Sequence, residues 1–207
     1  MTEGPYELPP GWRWVRLGEV CIPTERRDPT RDGSTHFVYV DISAVDNAVG
    51  AIISPRLILG QHAPSRARKV IRADDVIFAT TRPYLKNIAL VPPELDGQIC
   101  STGFCVIRAN REFAEPRFLF YLCRSDHITN QLSTSKLRGA SYPAVTDDDV
   151  YQTLMPLPPL EEQRRIVAYL GAVQEKVRAL QSSQAQTNEA LKQLEQSILD
   201  RAFRGEL

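Results

Sequence analysis

Residues 166 to 198 repeat in sevens, and that pattern constrains the chain more than any other. Starting at Ile166, the positions Leu170, Val173, Val177, Leu180, Gln184, Thr187, Leu191, Leu194 and Ile198 follow at alternating steps of four and three. Such spacing keeps one stripe of a helix facing a partner helix over more than four repeats. No glycine or proline falls between Gly171 and Ile198. These 33 residues would span roughly 50 Å at about 1.5 Å per residue, more than one small domain can cover. The spacing therefore predicts a coiled-coil helix; a helix packed back on its own domain is the alternative.

The entry to this helix is equally specific. "MPLPPLEEQRRIVAYL", 155 to 170, places Pro158 and Pro159 directly ahead of Glu161 and Glu162. The prolines hold the backbone extended and cannot carry a helix back into the preceding segment. The two acids put negative charge at the positive end of the new helix. The junction reads as a stiff bracket where a Gly/Ser linker would be loose.

Ahead of it the chain is punctuated by turns. "HFVYVDI" (36 to 42), "AIISPRLIL" (51 to 59), "DVIFAT" (75 to 80), "NIALV" (87 to 91) and "GFCVIR" (103 to 108) are short, β-branched and aromatic, and read as strands. "EPRFLFYLCRSD" (115 to 126) opens with an acid and a proline and sets Phe118, Leu119 and Leu122 at helical spacing. The expected fold is a mixed α/β (α+β) globular domain over 1–157, followed by a long C-terminal coiled-coil helix over 158–207.

Composition narrows the function classes. Hydrophobic residues make up 43% and charged residues 24% of 207 residues, an ordinary globular balance. No apolar run approaches the ~18 residues a spanning helix needs, and no basic then apolar leader opens the chain, so the expected location is cytoplasmic with no membrane contact. Cys21, Cys100, Cys105 and Cys123 form no CxxC pair, and three lie in apolar surroundings; buried reduced thiols are expected and no metal site. His36, His62 and His127 are dispersed and read as structural or surface residues. The 25 basic and 25 acidic side chains cancel. Their distribution does not: Arg56, Arg66, Arg68, Lys69, Arg72, Arg82 and Lys86 face only Asp74 and Asp75 in the same stretch, a local excess suited to phosphate.

Enzyme signatures are missing from the sequence. It has neither a glycine-rich loop after a first strand nor an Asn-Pro-Pro-aromatic loop for a methyltransferase. Nor does it have an acid followed by acid-x-Lys for a metal-dependent nuclease. The acids of "TDDDV" (146 to 150) read as solvated residues near the start of an element. No cofactor is expected.

Five motifs in order, "LPPGWRWVRLGEV", "TTRPYLKNIALVP", "GASYPAVTDDDV", "PLPPLEEQRRIVAYL" and "ILDRAFRGEL", resemble the specificity subunit of type I restriction-modification systems. The resemblance implies a target recognition domain that reads one half of a split DNA sequence and a long helix that packs against a counterpart. It also implies a non-catalytic subunit that carries modification (methyltransferase) subunits and a restriction subunit. Family members usually hold two recognition domains and two long helices in tandem. This chain shows one of each, so it resembles a half-length form, and an antiparallel homodimer centred on position 182 is expected. The polar layers Gln184 and Thr187 fall near that centre, where polar seam residues set register.

Within that expectation, candidate contacts to double-stranded DNA fall in three stretches read as loops. "APSRARK" brings Ser65, Arg66, Arg68 and Lys69; "TTRPYLKN" brings Thr81, Arg82, Tyr84, Lys86 and Asn87; "TSKLRGASY" brings Ser135, Lys136, Arg138, Ser141 and Tyr142. Arginine and lysine suit guanine edges or phosphates, and asparagine suits adenine. The third stretch is favoured because glycine and small residues let backbone amides approach a phosphate. The competing expectation is a coiled-coil adaptor that binds protein without touching DNA.

Overall fold

The computed structural model describes residues 4–136 and 144–206. It divides the chain into two units, Met1–Arg164 and Arg165–Leu207. Among its described residues the first unit contains eleven strands in chain order: β1 (Arg13–Arg16), β2 (His36–Val40), β3 (Val45–Asp46), β4 (Ala51–Ile52), β5 (Arg56–Leu59), β6 (Ala67–Val70), β7 (Val76–Ala79), β8 (Ile88–Leu90), β9 (Ile99–Ser101), β10 (Phe104–Ile107) and β11 (Leu154–Leu157). Its helices are α1 (Pro116–Arg124), α2 (Asp126–Lys136) and α3 (Asp147–Tyr151). The long helix α4 runs Leu160–Phe203.

Alternation along β2 organises the middle of this unit. Successive strand side chains point to opposite faces, so Val38 and Val40 pack in one apolar cluster with Ile77, Ala79, Ala89, Cys100, Phe104 and Val106. Phe37 and Tyr39 pack on the other side with Ala67, Ile99 and Ile58. The two sheets that share the first cluster are β5-β2-β9-β6 and β10-β7-β8. All four residues of β7 are buried, as a central strand with both faces covered requires. α1 packs against β7 and β8 through a face that includes Phe118, Leu119 and Cys123.

Three expectations are corrected. "AIISPRLIL" is two strands, β4 and β5, because Pro55 lacks the N–H a continuous ladder needs. Arg68 and Lys69 lie on strand β6, not on a loop. Ser135 and Lys136 are the last residues of helix α2.

β11 pairs antiparallel with β1, joining Trp14 to Pro156 and Val15 to Met155. The segment before the prolines is therefore a paired strand. The first turn of α4 is fastened by Gln163, which is fully buried. Its amide nitrogen donates to the carbonyls of Phe113 and Pro158, both at 2.9 Å, and its oxygen accepts the Glu115 N–H at 2.8 Å.

All four cysteines are free thiols, and Cys100, Cys105 and Cys123 are buried. Burial pushes Cys21 and Cys100 up to about 12 and raises Cys105 and Cys123 as well. A thiol raised this far carries almost no thiolate at pH 8. A disulfide-exchange reagent at that pH is therefore expected to release almost no colour from the folded chain, and four equivalents after denaturation; rapid labelling of the folded chain would contradict the burial.

Candidate nucleic-acid interface

Strand geometry sorts the first candidate stretch. Ser65 and Arg66 are exposed, Arg68 is half-buried, and Ala67 and Lys69 are buried. The Lys69 ammonium donates to the Phe104 carbonyl at 2.6 Å and to the carboxylate of Asp147, so it ties β6 to the start of α3 and is not presented at the surface. The Arg68 guanidinium donates to the Ala67 carbonyl at 2.8 Å and stands 3.4 Å from Asp28. Hydrogen bonds from the Thr30 hydroxyl and N–H hold the Asp28 carboxyl below the usual carboxylate range, helped by Arg68.

The second stretch is a rigid turn. Pro83–Leu85 form a single 3-10 turn, flanked on both sides by left-handed residues, Arg82 (φ 49°) and Lys86 (φ 52°). Left-handed backbone costs a non-glycine residue roughly 1–2 kcal/mol, so the surroundings must hold the turn in place. Asn47 donates its side-chain N–H to the Leu85 carbonyl at 2.8 Å, and the Lys86 ammonium meets Asp126 at 2.6 Å. Tyr84 is 51% exposed and Leu85 41%. Arg82 is exposed, while Thr81 and Asn87 are half-buried.

For the third stretch, Arg138, Ser141 and Tyr142 lie outside the described residues, and Ser135 and Lys136 end α2. Both flanks are anchored to the second stretch: Asp126, which opens α2, holds Lys86, and Ala144 bridges to Thr81, with the Val145 N–H donating to the Thr80 carbonyl at 2.9 Å. Thr146 then caps α3 in a reciprocal box with Asp149. The acids of "TDDDV" thus serve a helix start and the Lys69 pair. The same contacts join the first two stretches to the described residues that flank the third.

Sequence reading missed a basic cleft beside the first stretch. Arg26, Arg27 and Arg31 line a cavity of about 540 Å³ together with Asp28, Asp32, His36, Phe37, Gly97 and Gln98. Arg26 is bridged through its backbone to Lys69, and the Arg27 N–H donates to the Arg68 carbonyl at 2.9 Å. In "ERRDPTRD" the acids dilute the charge and hide the cluster. The signal that could have exposed it is Asp28-Pro29, a cap followed by proline at the first position of a turn, which assigns that acid to the backbone.

In α4, Ile166 and Leu170 are half-buried, while Val173, Val177, Leu180, Gln184, Thr187, Leu191, Leu194 and Ile198 are exposed. Leu180 at 65% and Leu191 at 57% are large apolar side chains facing solvent. No helix among the described residues is long and apolar enough to cross a membrane. Among the same residues no group of His, Cys, Asp and Glu is placed to hold a metal ion.

Residues 9–193 match the family model described as the type I restriction modification DNA specificity domain. The chain belongs to this family. Specificity subunits are also its curated relatives: the type I restriction enzyme HindI specificity subunit of Haemophilus influenzae is 28% identical over 93% of this chain. The EcoDI specificity subunit of Escherichia coli is 27% identical over 97%. Among solved structures, the HsdS subunit from Thermoanaerobacter tengcongensis is 76% identical over 94% of this chain, with a TM-score of 0.86. A chain from a type I R-M system, in a structure concerned with complex assembly and conformational transition, is 74% identical over 96%, with a TM-score of 0.87. This chain spans 40% and 43% of the two curated relatives and about half of each of these two solved chains. The mixed sheet and helix architecture with one long helix, expected from sequence, matches about half of the solved HsdS chain.

Proposed function

We propose that residues 1–157 form a target recognition domain that reads one half of a bipartite double-stranded DNA sequence. In this reading residues 158–207 pair, antiparallel, with the same helix of a second copy. The chain contributes no catalytic group; it places modification and restriction subunits on their target. The observation that supports the reading is the coincidence, in one specificity-family chain, of two linked basic stretches with an exposed seven-residue apolar repeat. Arg66, Arg68, Arg82, Tyr84, Lys86, Asn87, Lys136 and Arg138 are the candidate contacts, with Ser65, Thr81, Ser135, Ser141 and Tyr142 as hydroxyl partners for phosphates. Lys69 supports the frame behind them. In an antiparallel seam the two copies of Ile166 lie at opposite ends, which spaces two identical half-sites.

Phosphate contacts and base contacts separate in salt. Each lost phosphate contact should weaken all duplexes and lower the salt slope by about one unit, whereas a lost base contact should cost about 1–3 kcal/mol at one position. Lys136→Ala, Arg138→Ala and Arg68→Ala, assayed with modification subunits at two salt concentrations, are expected to show the first behaviour. Three unchanged variants would remove this surface from the reading. Methylome sequencing of cells carrying the system is expected to return a split palindrome, and an asymmetric motif would exclude two identical copies. The balance of 25 basic and 25 acidic residues slightly favours the adaptor reading instead; no retention on heparin and no salt-dependent duplex binding, with modification subunits present, would select it.

A further inference from the structure

We infer that the cleft between the Pro29–Asp32 turn and Gly97–Gln98 is a binding site for a phosphate group, gripped by Arg26, Arg27 and Arg31. Seven cations of the globular unit already face a carboxylate: Arg56, Arg68, Lys69, Arg72, Lys86, Arg108 and Arg111. Arg26 and Arg31 make no ion pair or side-chain hydrogen bond among the described residues, yet both line the same cavity. Arg27 is held there by a single bond from its guanidinium to the Gly97 carbonyl at 3.1 Å, which leaves most of its donors unused.

The two carboxylates in the cleft have other work. Asp28 accepts the Thr30 N–H at 3.1 Å and the Thr30 hydroxyl at 2.7 Å and stands beside Arg68, outside the cleft lining; the Arg31 charge also acts on it, more weakly than these contacts. Asp32 accepts the Thr35 hydroxyl at 2.7 Å. Three arginines lining one cavity suit a tetrahedral, multiply charged anion better than a carboxylate, which one planar fork satisfies. The volume of about 540 Å³ exceeds what a lone phosphate fills, so the phosphate would carry an attached group, with Phe37 and the 97–98 backbone as its wall. Two sources share this chemistry: an internucleotide phosphate of duplex DNA, for which the inference rests on the reading above, and a free phosphate ester.

The test uses the full chain with Arg26→Ala and Arg31→Ala, singly and together, and with Arg26→Gln and Arg31→Gln as gentler versions if the alanine variants melt early. In the first arm, modification subunits are added and duplex affinity is measured against salt. A slope lower by about one unit per removed arginine identifies the DNA backbone. In the second arm, inorganic pyrophosphate and a nucleoside triphosphate are titrated into the chain alone by calorimetry. Saturable binding that the double variant loses, with the duplex slope unchanged, identifies a free phosphate ester. Unchanged slopes together with no variant-sensitive binding overturn the inference. A wild-type chain that binds pyrophosphate in the cleft but no duplex in the first arm removes the DNA reading and leaves the phosphate site standing.

Discussion

A chain carrying Leu191→Glu and Leu194→Glu is expected to run as a monomer where the parent runs as a dimer. In an antiparallel seam centred on position 182, residue 191 lies opposite Val173 and residue 194 opposite Leu170, and symmetry presents each pair twice. Four leucine side chains therefore leave the seam of the dimer. At about 2 kcal/mol for each buried leucine, the loss is about 8 kcal/mol, or roughly five to six decades in dissociation constant. Glutamate is a strong helix former, so circular dichroism should be unchanged while light scattering at tens of micromolar reports half the mass. A parent that is already monomeric at that concentration, or a double variant that stays dimeric, would end the paired-helix reading.

The second large effect lies inside the globular unit. Asp75 is 1% exposed. Its carboxylate accepts Arg108 Nε at 2.9 Å and a terminal Arg108 nitrogen at 2.8 Å, together with the Arg72 N–H at 2.8 Å. This fork joins the start of β7 to the residue after β10, and Glu25 approaches the same guanidinium at 3.5 Å. Removing one member of a buried pair leaves the other charge uncompensated, which costs about 3–5 kcal/mol. Asp75→Ala should therefore lower the unfolding free energy by that amount, seen as a urea midpoint lowered by that loss divided by an unchanged slope. Adding Arg108→Met should recover much of the loss, because replacing both partners with apolar groups is often close to neutral. A single-variant loss below about 1 kcal/mol would show that the pair is not what joins these strands.

The parts of the fold legible in the sequence are those where one periodicity acts alone. β2, β7, β8 and β10 were readable because alternation or a continuous apolar run coincides with turn residues at both ends. α4 was readable because its seven-residue repeat has no competing signal. β6 was not, since "RARK" carries charge on both faces and reads as a surface loop, whereas Lys69 turns inward and is neutralised by Asp147, 78 residues later. No local pattern announces a partner that distant. The same limit hid the cleft: Arg26, Arg27 and Arg31 are adjacent in sequence, but their shared cavity is closed by Gly97 and Gln98 from another part of the chain. The candidate contacts in "TTRPYLKN" were legible as residue types. Their left-handed flanks were not, because neither Arg82 nor Lys86 is a residue that favours that backbone.

Gln163 engages only main-chain atoms: two carbonyls and one N–H. A socket made from backbone is indifferent to the side chains that decorate positions 113, 115 and 158. The first turn of α4 therefore keeps its anchor whatever side chains stand at those positions, so long as the backbone holds its course.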